Sequence, residues 1–267
     1  MTNNKNTAAM LLAAGLGTRL RPYTDEWPKC LMPIKNIPLL EYWIQILSDV
    51  GIEDITINMH HHAEIVQEFL NRPQFNQSIK TSYEATLLGT AATLRENASS
   101  FEDKTCLLVH ADNLCCCDFM GFIDYHHYMR PSDTVMTMMT FESSTPSTCG
   151  IVELDNEGVV RGYHEKVVDP PSNLANAAVY LIEPEVIDWI LVNIDAMDFS
   201  NEVIPKFIGR IATWKNTGVH RDIGSSTMLR AAQHDNCESI HFNNKDEWQT
   251  KFMSNPIHEQ LKEIMHG

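Results

Sequence analysis

Leu12-Ala13-Ala14-Gly15-Leu16-Gly17-Thr18-Arg19-Leu20-Arg21-Pro22 is the stretch that decides how this chain is read. It closes an apolar run, Ala8 to Ala14, that reads as a first strand buried on both faces. A strand feeding a glycine loop lets backbone N–H groups approach a polyanion closely. Two familiar loops fail here. A dinucleotide fingerprint needs a third glycine where Leu20 stands, and a P-loop needs Gly-Lys-Ser/Thr after four residues. What stays is Gly-x-Gly-Thr-Arg, with Pro28-Lys29 following and Lys29 ten residues after Arg19. A glycine pair alone reads as a tight turn. The cations in the same loop say more, because Arg grips phosphate with two donors and Lys acts as a mobile point charge. A leaving pyrophosphate needs such neutralisation.

Outward from that loop, strand and helix patterns alternate. Leu39 to Val50 has helical spacing and Gly51 as its stop. Asp54 to Met59 reads as a strand, Ala63 to Leu70 as a helix, Ile79 to Glu84 as a strand and Thr90 to Glu96 as a helix. Thr105 to His110 is a strongly apolar strand, Phe119 to Met129 a helix and Thr134 to Phe141 a strand. This alternation predicts an α/β fold with a mostly parallel sheet and helices on both faces. Beyond it, Gly150 to Leu154 and Val159 to His164 flank Asp155-Asn156-Glu157-Gly158 as a hairpin. Ala177 to Ile182, Ile211 to Lys215 and Val219 to Asp222 read as further strands, with helices from Pro184 and over Ser225 to Gln233. A weakly amphipathic helix is expected around Ile257 to Met265.

The 267 residues carry a formal charge of −15 and no run of Lys and Arg, which speaks against a nucleic-acid partner. An acidic protein that binds a triphosphate does so with a few placed cations and a metal. The seven cysteines are odd in number, and Cys115, Cys116 and Cys117 are adjacent, where disulfide geometry with each other is poor. A reduced, cytoplasmic protein is the simplest reading. Lys5 before Ala8 to Ala14 bears a faint likeness to a signal peptide, outweighed by the glycine loop that the run leads into. No apolar stretch reaches spanning length, so no membrane partner is expected.

The stretch from Gly15 to Pro22, with Pro28-Lys29 and then Pro33, resembles the signature of the sugar-1-phosphate nucleotidyltransferases. The resemblance runs in order over roughly residues 8 to 232. It implies a Rossmann-like nucleotide-diphospho-sugar transferase fold with a small sugar-binding β subdomain, and Mg²⁺ as cofactor. A nucleotidyltransferase domain over 1–232 follows, nucleotide-binding to about 141 and sugar-phosphate-binding from about 142, with a helical tail over 233–267.

Residue by residue, the resemblance places Leu12, Ala13, Ala14, Gly15, Gly17, Thr18, Arg19 and Lys29 around the nucleotide, with Arg19 and Lys29 on its triphosphate. Glu84 to Ala92 resembles the base-recognition segment, so Glu84, Gly89 and Thr90 join that set. Glu84 could accept hydrogen bonds from guanine N1–H and the 2-amino group. The local alternative for Gly89-Thr90 is a helix N-terminus. The wording Leu88-Gly89-Thr90-Ala91 is that of members that use GTP, closest to mannose- or heptose-1-phosphate guanylyltransferases. Asp112, at the carboxyl end of a strand, and Asp222 would hold Mg²⁺. The family usually has glycine where Ala111 stands. Gly150, Glu165, Lys166 and Asn176 resemble the sugar-phosphate blocks, with Val167 replacing a proline and Ala178 a glycine.

The expected reaction joins a nucleoside monophosphate from an NTP, GTP for preference, to a sugar 1-phosphate and releases pyrophosphate. Arg19, Lys29 and Asp112 are its expected catalytic residues. Uridylyl or thymidylyl transfer, cytidylyl transfer to a phosphate such as phosphocholine, and a non-catalytic nucleotide-sensing relative stay open. So does a homo-oligomer, whose interface the tail is one candidate to cover. His60-His61-His62 is read as a solvated strand-to-helix loop, since consecutive residues project apart and serve one ion poorly.

Overall fold

The computed structural model describes residues 6–75, 78–235, 237 and 247–260. They form two compact units between which the chain passes repeatedly. One holds the chain up to Met10, Leu88–Val109 and Cys117–Gly218; the other holds Leu11–Leu87, His110–Cys116 and the chain from Val219 on. Strand β1 (Thr7–Leu12) is divided at Met10 and buries all six residues, as its small and apolar side chains allow.

The Leu11–Leu87 unit contains the end of β1, a hairpin of β2 (Pro33–Ile34) and β3 (Ile37–Pro38), and strands β4 (Asp54–Met59) and β5 (Ser78–Tyr83). The sheet order is β1-β4-β5, and β4 and β5 run parallel in register from Asp54↔Ser78 to Met59↔Tyr83. Their carboxyl ends therefore lie together, so that Asn58 and Glu84 meet. After α1 (Tyr23–Glu26), helix α2 (Leu39–Asp49) buries Leu39, Leu40, Trp43 and Leu47 and ends at Gly51, where φ is +75°. Helix α3 (Ala63–Leu70) buries Val66, Phe69 and Leu70.

The tail helix predicted around Ile257 to Met265 is present over its described residues. Residues 256–260 are helical, and 261–265 fall outside the described residues. An unpredicted helix occupies Glu247–Met253 and packs by its aromatics, Trp248 against Phe69 at 5.0 Å and Phe252 against Trp27 at 5.7 Å. Its polar surroundings in sequence hid that apolar stripe.

The other unit contains α4 (Thr90–Glu96), most of β6 (Thr105–His110), α5 (Phe119–Asp124), β8 (Met136–Glu142), β9 (Gly150–Leu154), β10 (Val160–Glu165), β11 (Leu174–Ile182), α6 (Pro184–Val192) and β12 (Ile211–Lys215). Its sheet order is β10-β9-β11-β6-β1, with β8 on β11 and β12 on β8. β11 pairs antiparallel with β6, β8 and β9, whereas β12 runs parallel to β8. The α/β class is as predicted, and the sheet is mixed. The helix expected over Phe119 to Met129 changes at Asp124 into a π-turn, Tyr125–Met129. The turn accommodates fully buried His126, which bonds to Thr137 and Glu183.

Candidate active site

The Leu11–Leu87 unit also contains a short antiparallel pair, β7 (Asn113–Cys116) and β13 (Val219–Asp222), whose register sets Asp222 opposite Asn113. Asp112 directly precedes β7, so two acids 110 positions apart in sequence become neighbours. Both reach the same ammonium. Lys29 Nζ lies 2.5 Å from Asp112 Oδ2 and 3.2 Å from Asp222 Oδ1, and Arg19 Nη2 lies 3.2 Å from Asp222 Oδ2. The two cations predicted on the triphosphate and the two acids predicted to hold Mg²⁺ form one cluster.

Their exposure differs in a useful way. Lys29 is 5% exposed, fixed by its stem against the loop, while the Arg19 side chain is 70% exposed. Burial alone would lower the Lys29 ammonium pKa, but the Asp112 and Asp222 carboxylates outweigh it and the shift is upward. Burial acts to raise Asp112, yet Lys29 and then His110 hold its carboxyl below the usual range. Both groups are therefore charged at neutral pH. Ala111, where glycine is usual, sits fully buried without a positive φ, and its N–H donates to Leu12 O at 3.0 Å. The replacement distorts nothing locally.

The glycine loop is shaped by its neighbours. Gly17 has φ +64°, and a Cβ there would lie 2.7 Å from Thr24 Cγ2. Only glycine meets both demands. At Gly15 a Cβ would find open space within 4 Å, leaving the backbone approachable. Gly224 is a close approach of another kind: a Cβ would lie 2.8 Å from Arg19 Cζ, so the missing side chain makes room for the guanidinium.

Glu84 is 4% exposed, and its Oε1 accepts a 2.8 Å bond from Asn58 Nδ2. Asn58 Oδ1 accepts from Ala13 N at 2.7 Å. Sequence reasoning missed Asn58, whose signal was a polar residue inside an otherwise apolar strand end. The histidine triplet is the expected strand-to-helix loop, half-buried rather than fully solvated. His60 Nδ1 donates to the Glu84 carbonyl at 2.8 Å, and His61 and His62 Nε2 donate to the Thr24 carbonyl at 2.6 and 3.3 Å. Among the described residues no group of three or more His, Cys, Asp or Glu could hold a metal.

In the other unit, Gly89 and Thr90 start α4. Gly89 has φ +93°, a Cβ there would lie 2.6 Å from Met197 O, and Thr90 Oγ1 accepts from Phe199 N at 2.7 Å. The sugar-phosphate residues cluster through β9, β10 and β11. Gly150 pairs with Glu165, and a Cβ on Gly150 would lie 2.6 Å from Glu165 Oε2. That carboxylate oxygen accepts from Tyr163 Oη at 2.5 Å, and Oε1 meets Lys166 Nζ at 2.9 Å. Asn176 Nδ2 donates to Tyr180 Oη at 2.6 Å and Tyr163 Oη at 3.4 Å. Its Oδ1 accepts from Ala178 N at 2.9 Å, inside a register shift between Asn176 and Tyr180. Ala178 has φ +54°, so the alanine replacing glycine keeps the left-handed conformation and bears its strain. Tyr163 was not singled out in the sequence. The period of two that sets Tyr163 on the same side as Glu165 was the available signal.

The expectation of a reduced protein is corrected at one pair of cysteines. Cys116 and Cys237 form a disulfide, with Cα atoms 5.6 Å apart, while Cys30, Cys106, Cys115, Cys117 and Cys149 stay outside any disulfide. The partner of Cys116 is not an adjacent cysteine but one brought beside it by the fold from 121 positions away. No helix among the described residues is long and apolar enough to cross a membrane.

This architecture is that of a nucleotidyltransferase fold. A crystal structure of a Bacillus anthracis protein named as a glucose-1-phosphate thymidylyltransferase, solved with sucrose, matches with a TM-score of 0.77. It shares 20% identity and covers 89% of this chain and 98% of that one, a likeness of fold. The family model for nucleotidyl transferases matches residues 8–239, and the chain belongs to that family. A UTP–glucose-1-phosphate uridylyltransferase from Synechocystis sp. is 30% identical over 214 residues, 75% of this chain and 55% of the relative. A mannose-1-phosphate guanyltransferase from Kluyveromyces lactis is 27% identical over 234 residues, 82% of this chain and 63% of the relative. A mannose-1-phosphate guanylyltransferase from Mycobacterium tuberculosis is 27% identical over 235 residues, 83% of this chain and 64% of the relative. The chain thus spans between 55% and 64% of the length of these three relatives.

Proposed function

We propose that this protein transfers a nucleoside monophosphate from an NTP to a sugar 1-phosphate and releases pyrophosphate. The observation that carries the reading is the cluster at the glycine loop, where Asp112 and Asp222 converge on Lys29 Nζ beside Arg19. Two carboxylates on one side of a site suit Mg²⁺, which takes one or two of them and fills its shell with phosphate oxygens and water. Asp112 and Asp222 are the residues that would hold it. When bound there it supplies neutralisation of phosphate charge and a template for both anions.

The chain's own groups then act by position and charge. Arg19 and Lys29 bind the triphosphate and take up the charge that grows on the departing pyrophosphate. Glu84, Gly89 and Thr90 belong to the base side. Glu165 and Asn176 hold sugar hydroxyls near Gly150, and Lys166 meets the sugar phosphate. An oxygen of that phosphate attacks the α-phosphorus in line as the bond to the pyrophosphate oxygen breaks. No bond to protein forms, so catalysis is orientation and electrostatics.

GTP with mannose 1-phosphate, or a heptose 1-phosphate, is the preferred pair. Leu88-Gly89-Thr90-Ala91 supports it, as do the names of the guanyltransferase relatives. The uridylyltransferase name of the Synechocystis relative favours a second reading, UTP with glucose 1-phosphate. Pyrophosphate release, measured for each of the common NTPs against mannose, heptose and glucose 1-phosphates, tests the proposal. Turnover with one pair well above the rest is expected. Tight nucleotide binding with no turnover across the panel would instead make the protein a sensor.

A further inference from the structure

The segment Asn58–His62 at the end of β4 carries four polar side chains around buried Met59, and the proposed chemistry does not use it. Every one of its hydrogen-bonding side chains is engaged on Ala13, Thr24 or Glu84, at or beside the residues that the chemistry does use. Asn58 is 3% exposed and spends both ends of its amide, Oδ1 accepting from Ala13 N at the start of the glycine loop and Nδ2 donating to Glu84 Oε1. His60 donates to the Glu84 carbonyl. His61 and His62 converge on the Thr24 carbonyl. Thr24 passes the contact on: its Oγ1 donates to the Gly17 carbonyl at 2.8 Å, and its methyl lies where a Cβ on Gly17 would stand.

Electrostatic catalysis needs donors fixed before the charge develops. A glycine loop has little stiffness of its own, since its residues are the ones that lose most freedom on ordering. The strand end supplies what the loop lacks. We propose that Asn58–His62 is a positioning segment that locks the phosphate loop, through Ala13 and Thr24, in register with Glu84. His61 and His62 set the triphosphate grip, and Asn58 and His60 set base selectivity. None of the four touches substrate. This inference rests on the nucleotidyltransferase reading of the same loop.

The histidine arm is tested by binding. Affinities for the preferred NTP and for its monophosphate are measured by calorimetry on the full chain with Mg²⁺. The variants are His61→Ala/His62→Ala, His61→Gln/His62→Gln and Thr24→Val. Glutamine keeps a donor amide at similar reach, and Thr24→Val removes only the hydroxyl that reaches Gly17. The alanine pair and Thr24→Val should each lose about tenfold in NTP affinity while monophosphate affinity stays within about twofold, and the glutamine pair should recover most of the loss. Equal losses for both ligands, or none in either variant, would overturn the assignment. If the alanine pair does not fold, Thr24→Val decides by the same ratio.

The base arm is read as discrimination. Asn58→Asp and His60→Ala should reduce the ratio of preferred to next-best NTP about tenfold while leaving pyrophosphate affinity unchanged. An unchanged ratio contradicts the assignment. Failure of the wild-type protein to bind any NTP would count against the functional reading itself, a result distinct from variants that behave like a binding-competent wild type.

Discussion

Replacing Lys29 with methionine separates two roles that the ammonium holds at once. Methionine keeps the unbranched stem that packs near Gly17, where Lys29 Cβ lies 3.2 Å from the position of a Gly17 Cβ, and removes the charge. Asp112 and Asp222 both reach Nζ, at 2.5 and 3.2 Å, and for a charge separation of about 5 Å at an effective dielectric near 20 their repulsion is on the order of 3 kcal/mol. Both carboxylates are partly open to water, which reduces the cost to the fold to about 1–2 kcal/mol. That same unrelieved repulsion favours a divalent cation. Lys29→Met should bind Mg²⁺ about tenfold more tightly without nucleotide, the equivalent of about 1.4 kcal/mol. Turnover should fall by about 10²–10³, because nothing replaces the charge offered to the leaving pyrophosphate. Calorimetric Mg²⁺ titration and a pyrophosphate-release assay read the two effects, which run in opposite directions. Turnover within threefold of wild type, or Mg²⁺ affinity unchanged or weaker, would refute the role given to Lys29.

Other outcomes follow from single features. Ala178→Gly should stabilise the fold by about 1 kcal/mol, the relief of a left-handed alanine less the entropy of glycine, and raise Tm by about 2–4 °C; a lower Tm contradicts the assigned strain. Thiol titration of the denatured, unreduced protein should count five free cysteines, and a count of seven would show Cys116 and Cys237 reduced. His126 is buried, which lowers its pKa to about 4 against an ordinary 6.5. Between those values the unfolded chain takes up a proton that the folded chain refuses, so stability present above pH 6.5 is lost as pH falls toward 4, on the order of 2–3 kcal/mol. Urea unfolding of wild type and His126→Gln at pH 7, 5.5 and 4.5 checks this. Equal losses in both proteins would remove His126 from the explanation.

Much of the fold was legible because its elements declare themselves locally. Asp54–Met59, Ala63–Leu70, Thr90–Glu96 and Gly150–Leu154 match their predicted bounds, since apolar period and flanking glycine fix them without reference to the rest of the chain. β7 was not legible: Asn113-Leu114-Cys115-Cys116 is buried throughout, has no alternation, and owes its existence to β13 far along the chain. The same long-range pairing sets Asp222 opposite Asn113 and so brings Asp112 near it, which the sequence offered only by resemblance. The disulfide was hidden for a like reason, since it depends on a partner that only folding supplies. The histidine triplet shows the converse. Its residue types were conspicuous, but their hydrogen bonds go to backbone carbonyls of Thr24 and Glu84, which no residue pattern marks.

The most direct test of the account is Mg²⁺-dependent pyrophosphate release with the preferred NTP and sugar 1-phosphate, for wild type and for Asp112→Asn. The account predicts turnover that chelation abolishes and that the substitution lowers by about 10²–10³. Undiminished turnover in the variant, or in excess chelator, would contradict it.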